Sequence, residues 1–183
     1  MTGVVENESK HRVVDRSGLV VALAALGFAP GEPDPQVDEY YDGAGRPLAA
    51  GDLVCRLRVR DTRVMVAFKG PRQRHEDGSH WRVEIEFPVP DLAEARASLT
   101  RQGLTCVWRL EKRRRRYRRD GGGAEVCLDE LPRLGLFVEL EGEPAEVTDL
   151  RGRLAGLIDG AEPRNYQEIA LAAGAPPTGL VFP

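Results

Sequence analysis

No apolar run in this 183-residue chain reaches the length of a membrane-spanning helix, which excludes that class of membrane protein. The N-terminus lacks the basic-then-apolar layout of a signal peptide, so a cytoplasmic protein is expected. Cysteine is scarce: Cys55, Cys106 and Cys127 are odd in number, widely spaced and form no CxxC pair. That pattern excludes a disulfide frame or zinc ribbon and fits reduced thiols packed as small hydrophobes. His11, His75 and His80 fall at no metal-ligand spacing, and the chain has no repeat, low-complexity tract or linker. Charge of one sign is not in large excess either. A net charge of −3 calls for neither nucleic acid nor an anionic membrane, so any electrostatic function must come from local arrangement.

What is present is enough for one domain with a real core: 42% hydrophobic and 30% charged positions. The domain is expected over residues 1–175, with 176–183 as a loose tail. Monomer and homodimer remain open.

Glu6-Asn7-Glu8-Ser9-Lys10 reads as a strand that places Glu6, Glu8 and Lys10 on one face. Like charges held two residues apart weaken a plain strand unless a cation sits between them. Asp15 and Ser17 offer caps for a helix with Leu19, Val20, Leu23 and Leu26 at helical spacing, stopped by Gly27. A proline-rich loop from Pro30 to Pro35, a strand from Gln36 to Asp42 and a turn-rich connection from Gly43 to Gly51 follow.

From Leu53 onward the alternation is clear. Leu53, Cys55, Leu57 and Val59 lie on one face and Val54, Arg56, Arg58 and Arg60 on the other. A turn at Asp61-Thr62 leads to a strand from Val64 to Gly70, with Lys69 opposite Val64, Val66 and Phe68. Trp81, Val83, Ile85 and Phe87 alternate with Arg82, Glu84 and Glu86 before Pro88 and Pro90 close the strand. Asp91 caps a second helix with Leu92, Ala95 and Leu99 on its buried side, ended by Gly103. A long strand from Leu104 to Arg118 carries Lys112 and Arg114 on one face. The Asp120-Gly121-Gly122-Gly123 turn leads to a strand from Glu125 to Leu131 containing Asp129. After Pro132, Leu136, Val138 and Leu140 alternate with Phe137, Glu139 and Glu141. Helices are expected from Ala145 to Ile158 and from Tyr166 to Ala172.

The resulting fold class is α+β: about eight hairpin-connected strands in a closed or nearly closed antiparallel barrel, with helices on its apolar outer faces. The charged faces then line the inside. Ionised groups taken out of water cost several kcal/mol each unless paired or hydrated, so this interior is a wet tunnel and not a dry core. Its cations are Lys10, Arg56, Arg58, Lys69, Arg82, Lys112 and Arg114; its acids are Glu6, Glu8, Glu84, Glu86, Asp129, Glu139 and Glu141. Paired arginines and paired glutamates suit a polyanion with hard cations better than a structural ion-pair network. The fitting ligand is a linear phosphate chain with Mg2+ or Mn2+. No Gly-rich phosphate loop is present, so side chains must hold the phosphates. The arginine run from Lys112 to Arg119 contains only Tyr117 as an aromatic, which favours a phosphate-facing or solvated strand over a nucleic-acid site.

Glu6-x-Glu8-x-Lys10 resembles the ExExK signature of the CYTH, or triphosphate tunnel metalloenzyme, superfamily. Asp38-Glu39-Tyr40-Tyr41-Asp42, Arg56-x-Arg58, Lys69-Gly70-Pro71, Arg82-x-Glu84-x-Glu86, Lys112-x-Arg114, Asp129 and Glu139-x-Glu141 follow in the order of that family. The RxExE strand and Glu111-Lys112-Arg113-Arg114 look most similar to its class IV adenylate cyclase-like branch. The resemblance implies Glu6, Glu8, Asp129, Glu139 and Glu141 as metal ligands, with Glu84 and Glu86 in the metal or water shell. It implies Lys10, Arg56, Arg58, Lys69, Arg82, Lys112 and Arg114 as phosphate-binding residues, and Lys69 with Tyr40 as the catalytic pair near the attacking water. Expected substrates are small triphosphates: tripolyphosphate, ATP or thiamine triphosphate. Hydrolysis by a metal-dependent triphosphatase is the first expectation, cyclisation of ATP the alternative, and a non-catalytic polyphosphate or nucleotide binder the third. Two departures stand out: polar Asn7, Ser9 and His11 where the family usually has apolar residues, and arginines beyond Arg114.

Overall fold

The first strand has neighbours on both sides, and this closes the sheet. In a computed structural model that describes residues 4–183, β1 (Val4–Val13) pairs with β9 (Gly135–Glu141) on one edge and with β6 (His80–Val89) on the other. Residues 1–3 of the expected domain lie outside the described residues. Around the barrel the order continues through β8 (Glu125–Leu131), β7 (Thr105–Arg119), β2 (Phe28–Asp42), β3 (Val54–Arg60) and β4 (Arg63–Lys69) back to β6, with antiparallel pairing throughout; the two-residue β5 (Gln73–Arg74) pairs with β6. The expected eight-stranded closed barrel with flanking helices is the observed fold.

The helices bury against the apolar outer wall. Asp15 caps α1 (Arg16–Ala25) by accepting from the Gly18 N–H, and Asp91 caps α3 (Leu92–Arg101) through the Glu94 N–H. Leu19 and Leu23 of α1 and Val147 and Leu150 of α4 (Pro144–Arg153) pack on Val126, Leu128, Val138 and Leu140. Ala95 and Leu99 of α3 pack on Leu57, Val64 and Val66. Val20, expected on the buried side of α1, is exposed, while Leu19 and Leu23, flanked by Ala22 and Leu26, meet the wall.

The inner face changes character along each strand. Alternate residues of β7 run from Trp108 and Leu110 to Lys112 and Arg114, and those of β9 from Phe137 to Glu139 and Glu141. The apolar end is sealed by α5 (Tyr166–Ala172), whose Tyr166, Ile169 and Ala170 join Trp108, Leu110, Leu131 and Phe137 in one cluster. The charged remainder is the tunnel.

Four expectations need correction. The prolines from Pro30 to Pro35 lie within β2, because β3 reaches β2 only from Gln36 onward. That half of β2 pairs with β7 alone, so a missing N–H is tolerated on its free side. Residues Pro47–Ala50 form a short helix, α2, inside the expected turn region, with proline at its first turn. The last long helix stops at Arg153, and Ile158–Ala161 forms β10, which pairs with the outer end of β1. The tail is tied down as well: β11 (Gly179–Leu180) runs parallel to β7 and buries Leu180.

β10 also explains the polar outer face of β1. The Nδ1–H of His11 donates to the Asp159 carbonyl at 2.9 Å, which leaves Nε2 to accept from the Ser9 hydroxyl at 2.8 Å. Asn7 donates to the Gly142 carbonyl at 2.9 Å. Hydrogen bonds instead of apolar contact satisfy this outward polar row.

Candidate active site

Register places the charges. Glu8 lies opposite Glu141 and Lys10 opposite Glu139 across β1 and β9, Lys69 opposite Glu84 across β4 and β6, and Arg114 opposite Asp129 across β7 and β8. All the expected phosphate-binding residues, together with Tyr40, Glu6, Glu8, Glu84, Glu86, Glu139 and Glu141, line one cavity of about 470 Å³.

The acids divide into two groups. Carboxylate oxygens of Glu6, Glu8 and Glu141 all lie within 4.8 Å of one another, a spacing that one hard cation with metal–oxygen distances of roughly 2.0–2.6 Å bridges. Like charges this close need a cation or a proton. Burial, then the Glu139, Glu6 and Glu8 carboxylates, push the Glu141 carboxyl up to about 7 against the pull of Arg114. Glu6 goes the other way: burial opposes its ionisation, but the Lys69 ammonium at 2.6 Å holds it down at about 2.

Glu139 and Asp129 belong to the cations. Glu139 pairs with the Arg114 guanidinium and sits 3.6 Å from the Lys10 amine. Asp129, expected as a metal ligand, is fully buried and absent from the cavity lining. It accepts instead from Lys112 at 3.0 Å, from Arg114 Nε and Nη2 at 2.7 Å each, and from the Tyr166 hydroxyl at 2.9 Å. Four donors occupy both oxygens, so Asp129 anchors Lys112, Arg114 and Tyr166.

Each remaining cation has its own restraint. Arg58 is gripped by Asp38, and Arg82 donates to the carbonyls of Gly70 and Asp52. Lys69 donates to Glu6 and to Glu84 at 3.1 Å, which leaves one of its three N–H groups for a ligand. Arg56 meets Glu84 at 3.2 Å and Glu86 at 3.5 Å, while its buried Nε has no partner among the described residues. Tyr40 stacks at a tilt on Trp108, ring centres 5.6 Å apart. Burial, then the Asp38 charge, raises its hydroxyl pKa well above the ordinary tyrosine value, so the hydroxyl stays protonated. Tyr40 and Lys69 are not bonded to each other.

Sequence reasoning missed three contributors. Asp38 was matched to the family without a role. His80 sits with Nε2 3.2 Å from Glu8. Tyr166 puts its ring 4.5 Å from the Lys10 amine and 5.4 Å from that of Lys112 while its hydroxyl reaches Asp129. Only the Asn165…Glu168 capping pattern marked that helix locally. The arginines beyond Arg114 serve mainly as ion-pair partners: Arg116 and Arg118 meet Glu125, and Arg119 meets Glu146.

A closed antiparallel barrel with a carboxylate cluster facing a bank of cations defines a charged tunnel domain. The chain belongs to the CYTH domain family, whose domain matches residues 5–154. Among its relatives is a protein of Methanocaldococcus jannaschii bearing a provisional adenylate cyclase name, 30% identical over 146 residues that cover 80% of this chain and 81% of that protein. Solved structures share the fold. A Vibrio parahaemolyticus protein, provisionally named an adenylate cyclase, superposes with a TM-score of 0.74 at 21% identity, covering 93% of this chain and 99% of its own. HpAC1 from Hippeastrum, described as an adenylyl cyclase candidate with a dominant triphosphatase activity, gives 0.71 at 21% identity, covering 93% and 97%. No helix among the described residues is long and apolar enough to cross a membrane.

Proposed function

We propose that this protein is a divalent-metal-dependent triphosphatase that hydrolyses a phosphoanhydride bond of an inorganic or organic triphosphate. The observation that carries the reading is the shared cavity: the Glu6, Glu8 and Glu141 cluster opens into the same 470 Å³ space as Lys10, Arg56, Arg58, Lys69, Lys112 and Arg114. A binder of phosphate alone needs the cations but has no use for three crowded carboxylates.

Glu6, Glu8 and Glu141 would hold Mg2+ or Mn2+, which supplies neutralisation of charge on the phosphate chain and leaving group. The other groups position the substrate. The Arg58 fork is fixed by Asp38 and the Arg114 fork by Asp129, while the buried Arg56 Nε has no partner among the described residues. Asp38 and Asp129 stay in place, and the guanidinium N–H groups they leave free would meet the phosphate chain. The protonated Tyr40 hydroxyl and the free N–H of Lys69 orient the attacking water for in-line displacement.

The dominant triphosphatase activity described for the Hippeastrum protein supports hydrolysis; the name of the Methanocaldococcus relative favours a second reading, cyclisation of ATP to cyclic AMP and pyrophosphate. Product analysis separates them. Orthophosphate from tripolyphosphate supports hydrolysis, whereas cyclic AMP from ATP with no orthophosphate from tripolyphosphate overturns it.

A further inference from the structure

Each carboxylate of the three-membered cluster has a nitrogen neighbour of its own. Glu6 accepts from Lys69 at 2.6 Å, Glu141 accepts from the Arg114 guanidinium at 3.4 Å, and Glu8 lies 3.2 Å from Nε2 of His80. These neighbours are not equivalent. Lys69 and Arg114 line the cavity, as does Lys10, whose amine stands 3.9 Å from Glu8, whereas His80 is buried and absent from the lining. On the triphosphate reading a phosphate chain competes for the three cavity cations. His80 is then the neighbour that Glu8 keeps.

The backbone fixes this pairing. Cross-strand register sets Glu8 between Glu141 on β9 and His80 on β6, so one row across three strands carries carboxylate, carboxylate and imidazole. The turn ahead of His80 then holds the start of β6. Asp77 accepts from the N–H and the hydroxyl of Ser79, at 3.0 and 2.6 Å, and the His75 N–H donates to the Ser79 carbonyl at 2.9 Å. Gly78 sits at φ 85°, and a Cβ there would come within 2.9 Å of the Ala161 side chain, so the turn packs closely on β10. From α4, Arg151 donates to the Asp77 carbonyl at 3.1 Å and meets its carboxylate at 2.9 Å. An imidazole seated on such a frame offers Glu8 a donor at a fixed place, and a carboxylate already held there loses less side-chain freedom on meeting a cation.

We infer that His80 is a positioning residue for the divalent-cation site: in the tautomer that carries its proton on Nε2, it orients the Glu8 carboxylate toward Glu6 and Glu141. Its own nitrogens are not among the ligand atoms gathered within 4.8 Å, so it acts on Glu8 and not on the ion. The inference rests on the cation reading of that cluster and deepens it by naming what holds one of the ligands in place.

The test titrates Mn2+ into the wild type, His80→Gln and His80→Phe without triphosphate, with electron paramagnetic resonance reporting the free ion. Glutamine keeps an N–H donor; phenylalanine keeps the bulk of the ring and loses the donor. His80→Phe should bind Mn2+ at least about tenfold more weakly, the scale of loss when an outer-shell partner is removed, and His80→Gln should stay within about threefold of wild type. Thermal melts verify folding, and His80→Met replaces His80→Phe should the latter not fold. Wild-type affinity in the donorless variant, or equal losses in both variants, overturns the positioning role and leaves the cation site intact. A wild type that binds no Mn2+ overturns the cation reading together with the inference.

Discussion

Arg58 and Asp38 face each other across β3 and β2 as a two-bonded pair, Nε to Oδ1 at 2.6 Å and Nη2 to Oδ2 at 2.7 Å, with both side chains almost wholly buried. Burial works against the Asp38 charge, yet the Arg58 guanidinium overrides it and holds the carboxyl well below the usual carboxylate range. A depressed carboxylate stabilises the fold above its unfolded value near 4, and that stability is lost as pH falls through the folded value. Asp38→Asn should therefore lower Tm markedly at pH 7, by the few kcal/mol that breaking a buried pair costs (roughly 3–5), with the gap to wild type narrowing below about pH 4. Thermal melts across pH 2–7 check this; a gap independent of pH contradicts it.

The two acidic groups of the tunnel should separate in metal titrations. Glu8→Gln and Glu141→Gln remove oxygens from the three-carboxylate cluster and should weaken Mn2+ binding at least tenfold, as read by electron paramagnetic resonance. Asp129→Asn should leave Mn2+ binding near wild type and weaken tripolyphosphate binding, because Asp129 holds Lys112 and Arg114. Mn2+ affinity of the wild type should rise as pH climbs through about 7, where Glu141 gives up its proton.

Tyr166 contributes a hydroxyl to Asp129 and a ring to Lys10 and Lys112, and the two roles are separable. Tyr166→Phe keeps the ring and should raise the KM for a triphosphate several-fold with kcat little changed. Tyr166→Leu should raise it further. Equal kinetics in all three proteins would show that α5 only plugs the barrel.

Lys69→Ala and Tyr40→Phe should each depress kcat more than substrate affinity, since they act on the attacking water. Steady-state kinetics with separately measured affinities decide the matter. A variant that loses affinity while keeping kcat belongs to the phosphate grip instead.

The barrel was legible because period-2 alternation survives even where both faces are unusual: the arginine-rich face of β3 and the glutamates of β6 and β9 read as one lining. The β2 prolines misled because edge position is a property of neighbours, not of the segment itself. The role of Asp129 was hidden for a similar reason. Whether a carboxylate meets a metal or a guanidinium depends on cross-strand register, and only the pairing with Arg114 reveals it. Tyr166 lies well beyond the last barrel strand, so nothing local connects it with Lys10 or Lys112. The outward Asn7, Ser9 and His11 did carry a readable signal: a polar row on a core strand requires hydrogen-bonding partners, here the Gly142 carbonyl for Asn7 and the Asp159 carbonyl for His11, which in turn meets Ser9.

The most direct test of the account is phosphorus NMR of tripolyphosphate and of ATP incubated with the protein and Mg2+ or Mn2+, with Glu8→Gln alongside. Metal-dependent release of orthophosphate by the wild type, abolished by chelation and absent in Glu8→Gln, is the predicted result. Intact tripolyphosphate together with cyclic AMP and pyrophosphate from ATP, or orthophosphate release that persists in Glu8→Gln, would contradict it.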